Sequence, residues 1–151
     1  MAPRQRQVST SRVIDADRQR IFDVLADPAM HPVIDGSGTV RSIQDGGPER
    51  LGPGARFGMS MRMGAPYKVA NTVVEFEEGT RLAWAHFHGH RWRYELEDVE
   101  GGTRVTETFD WSTARSKLPL EVAGIPKRNL EAMRRTLERL DELMASDGAA
   151  R

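Results

Sequence analysis

The sequence predicts an α+β domain: a seven-stranded antiparallel sheet wrapped around a long C-terminal helix, with one or two short helices after the first strand. Three observations predict it. Short segments of alternating apolar and polar residues follow one another from Thr39 to Trp111, separated by Gly and Pro at roughly 10–12 residue spacing. A further alternating segment, Gln7–Ile14, opens the chain ahead of a helical pattern. At the other end Leu130, Met133, Leu137, Leu140 and Met144 recur at three- and four-residue steps, the stripe of an amphipathic helix. Consecutive strands joined by short turns pair antiparallel. With one apolar face, such a sheet needs a covering helix, and the terminal one is long enough.

Residues 1–6 and 146–151 are small, polar or charged without periodicity. They read as flexible termini around a single domain over 7–145. After the first strand, Asp15 or Asp17 caps a helix that runs to about Ala26 and buries Ile21, Phe22 and Leu25. Asp27-Pro28 ends it. Ala29–Gly38 is turn-rich, with room for one short helical turn. The expected strands are then Thr39–Gln44, Ala55–Met63, Tyr67–Glu77, Arg81–Phe87, Arg91–Val99 and Thr103–Trp111. A short helix near Leu118–Ala123 is interrupted at Gly124-Ile125-Pro126. The terminal helix follows, its solvent face filled by Arg134, Arg135, Glu138, Arg139 and Glu142.

Composition narrows the function classes. The chain has 151 residues, 38% of them hydrophobic, enough for one domain with its own core. Its 22 basic and 22 acidic side chains balance, which disfavours nucleic acid or an anionic membrane as partner. With no cysteine, disulfides, thiolate catalysis and cysteine–zinc sites are excluded. The N-terminus lacks an apolar signal region and no segment approaches a membrane span. A cytoplasmic monomer or homodimer is expected. Gly36-Ser37-Gly38 and Leu51-Gly52-Pro53-Gly54 are turns, since neither carries the Gly-Lys-Ser/Thr phosphate pattern. There is no Gly-x-Ser-x-Gly elbow, and no cofactor is expected.

The hairpin His90–Trp111 is the most informative stretch. Gly101-Gly102 suits a two-residue turn in which both residues take positive φ. Pairing Glu100 with Thr103 sets Trp92 opposite Trp111, Tyr94 opposite Phe109 and Leu96 opposite Glu107. On the other face it sets Arg93 opposite Asp110. One face is then aromatic and the other charged. Trp and Tyr carry polar atoms that need partners, so they suit a cavity wall. A three-residue loop His88-Gly89-His90 brings Trp84 and His86 to the same face, His86 beside Trp92 and Trp84 beside Tyr94. A two-residue loop would turn both outward. In Arg56–Gly64, Phe57, Met59, Met61 and Met63 share one side, as core filling or as a surface that adapts to a ligand.

Four polar features stand out. Glu107 is a carboxylate on the apolar face. It sits at an open end of the sheet or pairs with an arginine, or else it anchors a ligand or moves a proton. On the expected register it is no dyad with His86, which lies four residues away, ~13 Å at strand rise. His86, His88 and His90 have metal-ligand spacing, but the Gly89 turn spoils it, so no metal is expected. His31 and Asp35 make either a local pair at the pocket mouth or an Asx-type turn. The basic cluster Lys127, Arg128, Arg134, Arg135 and Arg139 is interleaved with acids and reads as a solvated helix face.

These segments resemble the SRPBCC superfamily, the START or birch-pollen-allergen-like helix-grip fold, and look closest to small bacterial proteins of the polyketide cyclase/dehydrase type. The resemblance is carried by Val-Ile-Asp-Ala-Asp-Arg-Gln-Arg-Ile-Phe-Asp-Val-Leu-Ala-Asp-Pro, by Leu-Gly-Pro-Gly-Ala-Arg-Phe, by Val-Val-Glu-Phe-Glu-Glu-Gly-Thr-Arg-Leu-Ala-Trp and by Tyr-Glu-Leu-Glu-Asp-Val-Glu-Gly-Gly-Thr-Arg-Val-Thr-Glu-Thr. One departure is Asp17, where many relatives open the first helix with proline. The resemblance implies a sheet gripping the helix around a cavity for lipids, polyketides or other apolar molecules. It carries over no catalytic set. From the strand faces, the expected ligand wall is Phe57, Met59, Met61, Met63, Trp84, Trp92, Phe109 and Trp111, with Met133 and Leu137 from the helix. Tyr94, His86 and Glu107 would orient polar ligand groups. The same three are the candidate catalytic residues if the protein is instead a cyclase- or dehydratase-like enzyme. An interaction module with a filled interior is the further alternative.

Overall fold

The computed structural model describes residues 6–38, 40–43, 47–86 and 89–149. Strand β1 (Gln7–Ile14) leads into helix α1 (Arg18–Leu25). Asp17 caps the helix: its carboxylate accepts from Arg20 N at 3.3 Å, satisfying an open donor of the first turn. Ile21, Phe22 and Leu25 are fully buried. The Asp27 carboxylate accepts from Ala29 N at 3.0 Å and opens a 3₁₀ turn, Pro28–Met30. This runs on into a four-residue helix α2 (His31–Ile34).

The remaining strands are β2 (Val40–Ile43), β3 (Arg56–Met63), β4 (Ala65–Glu77), β5 (Arg81–His86), β6 (Arg91–Val99) and β7 (Gly102–Asp110), followed by helices α3 (Lys117–Val122) and α4 (Ile125–Ala149). Thr39, Gln44 and Phe87, expected at strand ends, lie outside the described residues. The sheet has the order β1-β7-β6-β5-β4-β3-β2, antiparallel throughout, with β1 and β2 at its edges. Strand β4 starts earlier than expected, because Met63 pairs with Ala65 directly around Gly64.

Helix α4 packs on β1, β7 and α2, and Arg12 Nε on β1 donates to Asp141 Oδ2 at 2.7 Å. Met133, Leu137, Leu140 and Met144 are buried, as the stripe requires. Leu137, Leu140 and Met144 close the main core with Phe22, Leu25, Leu82, Leu96 and Val105. Met133 joins a smaller cluster with Phe109, Trp111 and Ala114. Gly124 separates the two C-terminal helices with φ 71°. Pro126 falls in the first turn of α4, where a missing N–H breaks no helical bond. Ordered structure runs past the expected domain limits at each end: α4 continues to Ala149, and Arg6 O accepts from Trp111 N at 2.9 Å while Arg6 Nε donates to Glu121 at 2.9 Å. Residues 1–5, 150 and 151 lie outside the described residues.

Two registers differ from expectation, each by two residues. Across β6 and β7, Val99 pairs with Gly102, Leu96 with Val105, Tyr94 with Glu107 and Trp92 with Phe109. The turn is Glu100-Gly101, not Gly101-Gly102. Gly102 already belongs to β7 because a Cβ there would lie 2.1 Å from Ile14 O; the close passage of β1 requires glycine within the strand. Across β5 and β6, Trp84 pairs with Trp92 and Leu82 with Tyr94. The three-residue loop predicts the correct face but the wrong level. The last pair before the loop is Ala85 with Arg91, and Gly89, with φ 91°, is tied to the chain after β7 by Thr113 Oγ1, which donates to Gly89 O at 2.6 Å. An even slip keeps every side chain on its face, which is why the inward set survives.

On the outer face Arg93 opposes Thr108 rather than Asp110. It nevertheless reaches Asp110 diagonally at 3.2 Å and Glu75 at 2.8 Å. Arg91 Nη1 adds a 3.0 Å bond to Glu75. Arg93 is the main group holding the Glu75 carboxyl below its ordinary range. Replacing Arg93 by Leu is expected to cost about 1–3 kcal/mol in urea unfolding at neutral pH, between the values for exposed and buried pairs. A carboxyl with a lowered folded pKa stabilises above its unfolded pKa and ceases to do so as pH falls. The gap between wild type and Arg93→Leu should therefore narrow in acid.

Candidate functional site

Between the inner sheet face, α4 and the α2–β2 connection lies a cavity of about 680 Å³. Alternation along β3 and β4 supplies Met59, Met61 and Val69; β5 and β6 supply Trp84 and Trp92; α4 supplies Met133. Polar residues share this wall, among them His31, His86, His90, Tyr94 and Glu107. Exposed Ser37, Arg128, Glu131 and Arg135 form the rim. The α2–β2 connection sits directly on α4. A Cβ on Gly36 would lie 2.4 Å from Ala132 O, and Gly36 N donates to Thr136 Oγ1 at 2.9 Å.

Of the residues expected in the wall, Met59, Met61, Trp84, His86, Trp92, Tyr94, Glu107 and Met133 border the cavity. Four do not. Phe57 is buried edge-on to His31 and Trp84, at 5.6 Å from each. Leu137 belongs to the main core. Phe109 stands behind Trp92 at 4.9 Å. Trp111 is not opposite Trp92; it stacks on Phe109 at 5.7 Å and donates Nε1–H to Glu121 at 2.9 Å. The Met63 side chain lies outside the described residues. Sequence reasoning missed Tyr67 and Val69, which continue the alternation of β4. It also missed Ile125, Asn129, Ala132 and Thr136, a second stripe on α4 beside the core stripe. Both signals were present in the periodicity.

Glu107 is neither at an open end nor paired with an arginine. It is buried, and its cross-strand partner on β6 is Tyr94. Its Oε1 is buried without a partner. Burial pushes Glu107 up to about 8; the neighbouring Tyr94 hydroxyl opposes this and the nearby Asp35 charge adds to it. The Tyr94 hydroxyl is raised well above its usual value, first by burial and then by Glu107. At neutral pH Glu107 is thus mainly a carboxylic acid, able to donate as well as accept.

His86 accepts from Trp92 Nε1–H at 3.1 Å through Nε2. An indole N–H only donates, so Nε2 carries no proton. Burial, with His90 adding, lowers the His86 pKa to about 3. The ring is neutral, and its proton sits on Nδ1, which has no partner. Glu107 stands opposite Tyr94, which stands opposite Leu82. His86 is four residues further along β5, ~13 Å at strand rise, so the two form no dyad. His86 and His90 meet edge to face at 4.7 Å. His88 lies outside the described residues, and no group of His, Asp and Glu suited to a metal occurs among those described.

His31 Nε2 is 2.8 Å from Leu25 O, and the ring stacks on Trp84 at 4.9 Å. Burial lowers its pKa. Asp35 instead accepts from Ser37 N at 3.1 Å and Val40 N at 3.1 Å, the Asx-type turn. The basic cluster Lys127, Arg128, Arg134, Arg135 and Arg139 is exposed, as a solvated helix face should be; Arg128 and Arg135 also border the cavity mouth, and Arg139 Nη1 donates to Asp35 O at 2.6 Å.

A model of the family described as polyketide cyclase / dehydrase and lipid transport matches residues 5–145. The chain is 36% identical over 146 residues to the uncharacterized protein Rv0088 of Mycobacterium tuberculosis, covering 92% of this chain and 64% of that one. It is also 36% identical to the uncharacterized protein MT0096 from a second strain of that species, with the same coverage. The chain thus spans just under two thirds of the length of these curated relatives. Among solved structures, the AHSA1-like protein of Aeromonas hydrophila superposes with a TM-score of 0.66 at 18% identity, covering 94% of each chain. Protein Ms6760 of Mycobacterium smegmatis does so at 0.71 and 17% identity, covering 95% of this chain and 93% of that one. At these identities the structural likeness speaks for the fold.

Proposed function

From the premise that this chain belongs to the polyketide cyclase/dehydrase and lipid transport family, we propose that it binds an apolar small molecule in the cavity between sheet and C-terminal helix. The observation that carries this reading is the cavity itself. Its 680 Å³ falls within the ~300–1,000 Å³ of small-molecule sites. Its wall mixes apolar side chains, Met59, Met61, Val69, Trp84, Trp92 and Met133 among them, with polar ones such as His31, Tyr94 and Asn129, the mixture that holds and orients a largely apolar ligand. Among the described residues no helix is long and apolar enough to cross a membrane.

Native mass spectrometry of the freshly purified protein, followed by denaturing extraction, tests this directly. A co-purifying apolar molecule is the expected result. Titration with the neutral fluorescent probe N-phenyl-1-naphthylamine gives a second readout. Trp92→Ala, in the wall, should weaken probe binding about tenfold, whereas Arg104→Ala, exposed on the opposite sheet face, should leave it unchanged. Equal effects of the two would count against this wall.

One observation favours a second reading, an enzyme of the cyclase or dehydratase type. Glu107 and its cross-strand partner Tyr94 both border the cavity. A buried carboxyl raised toward neutral pH is suited to general acid–base work. Protein-dependent formation of an aromatic chromophore from a synthetic linear poly-β-ketone thioester, lost in Glu107→Gln, would support that reading; unchanged turnover in the variant would remove Glu107 from it.

A further inference from the structure

The two most exposed large apolar side chains among the described residues stand on one helix. Leu118 is 65% exposed and Val122 86%. Four residues apart on α3, they share one of its faces. Leu120, between them in the chain, borders the cavity and packs toward Phe109 and Trp111 instead. No residue of α3 is buried, so the helix has a wall side and a bare apolar outer side. Scattered singly, exposed apolar residues need no explanation; side by side within a charged rim they mark a contact surface.

That rim is basic. Arg115 and Lys117 flank the pair on one side, Lys127 and Arg128 on the other, and Glu121 is the one acid between Arg115 and Arg128. Glu121 does not offset them. Its side chain is 12% exposed, and its Oε1 accepts from both Arg6 Nε and Trp111 Nε1 at 2.9 Å. Among the described residues no carboxylate pairs with Arg115, Lys117 or Lys127. Past Gly124, residues Lys127, Arg128, Leu130, Glu131 and Arg134 line an open groove, where Glu131 is shared between Arg134 and Arg135. Arg128 and Glu131 border both this groove and the cavity, so the basic start of α4 lies beside the cavity mouth. The overall balance of 22 basic and 22 acidic residues conceals this local excess.

An occupant has to answer apolar surface and positive charge together. A nucleic-acid backbone supplies the charge but no apolar partner for Leu118 and Val122. A bilayer containing anionic lipids supplies both, headgroup phosphates for the cations and acyl chains for the two side chains. We propose that the outer face of α3 and the basic start of α4 dock the protein on an anionic lipid surface, with the cavity mouth beside the contact. With two apolar anchors on a six-residue helix, the attachment is reversible and depends on charge. It stands independently of what the cavity binds.

Co-sedimentation with vesicles tests it, one set of phosphatidylcholine alone and one with about one third phosphatidylglycerol. Wild type should bind the mixed vesicles about tenfold more tightly than the neutral ones. The difference should vanish near 1 M salt, where the screening length shrinks to about 3 Å. Leu118→Ser combined with Val122→Ser should remove binding, as should Arg115→Gln combined with Lys127→Gln. Val13→Ser, which removes an exposed valine from β1, should leave it intact. Far-UV circular dichroism shows each variant to be folded. None of these residues borders the cavity, so naphthylamine titration without vesicles reads the cavity separately and should be unchanged. Equal binding to both vesicle types, binding that survives the loss of Leu118 and Val122, or no binding to either set would overturn the proposal. Self-association in gel filtration that disappears in the Leu118→Ser, Val122→Ser variant would overturn it too, assigning the patch to a second copy of this chain.

Discussion

Gly102→Ala is expected to destabilise the fold by about 3 kcal/mol or more, whereas Gly101→Ala costs about 1 kcal/mol. The two glycines are adjacent and both have positive φ, 90° at Gly101 and 137° at Gly102. Strain alone would therefore penalise both. They differ in what surrounds them. A Cβ on Gly101 meets nothing within 4 Å, while one on Gly102 would lie 2.1 Å from Ile14 O, 2.9 Å from Ile14 C and 3.0 Å from Asp15 Cα. All three are backbone atoms, so no side chain can swing aside. Relief requires β1 to part from β7, which would loosen the edge strand that also carries the Arg12–Asp141 tie to α4. Urea unfolding followed by tryptophan fluorescence measures the difference. Equal costs for the two variants would mean that β1 separates freely at this end.

The same glycine explains where the sequence could be read and where it could not. Alternation in Arg91–Val99 and Gly102–Asp110 determines which residues face inward, and it did so correctly for Trp92, Tyr94, Glu107 and Phe109. It cannot determine the level at which two strands meet, because a slip of two residues preserves both faces. The level is fixed at Gly102 by Ile14, which is remote in sequence, and at Gly89 by Thr113. Both are tertiary contacts that leave no periodic trace. The consequence for the site is direct. Only the observed register puts Tyr94 opposite Glu107, and so only the structure reveals the couple that the expected pairing of Leu96 with Glu107 concealed. The His31–Trp84 stack is illegible for the same reason. The α4 residues Asn129, Ala132 and Thr136 were legible in principle, one helical row from the stripe that was read.

Glu107→Gln is expected to stabilise the protein by a few kcal/mol in mild alkali and to leave it nearly unchanged in acid. The folded state holds the Glu107 proton up to about 8, against an ordinary value of 4.5. Between those values the native state binds more protons than the unfolded chain, so stability falls as pH rises, at most ~1.4 kcal/mol per pH unit. Below the lower value both states are protonated and the carboxyl imposes no ionisation cost. Above the upper value the full cost is present, because the folded state must hold a carboxylate beside Asp35 with no cation to pair it. The amide of Gln does not titrate, so its stability curve should lack this descent. Urea midpoints of wild type and variant across the range measure the divergence. Parallel curves would mean that Glu107 is hydrated and already ionised at neutral pH. An apolar side chain at this position would make the fold more tolerant of alkali, so the buried acid is a stability cost that the protein bears.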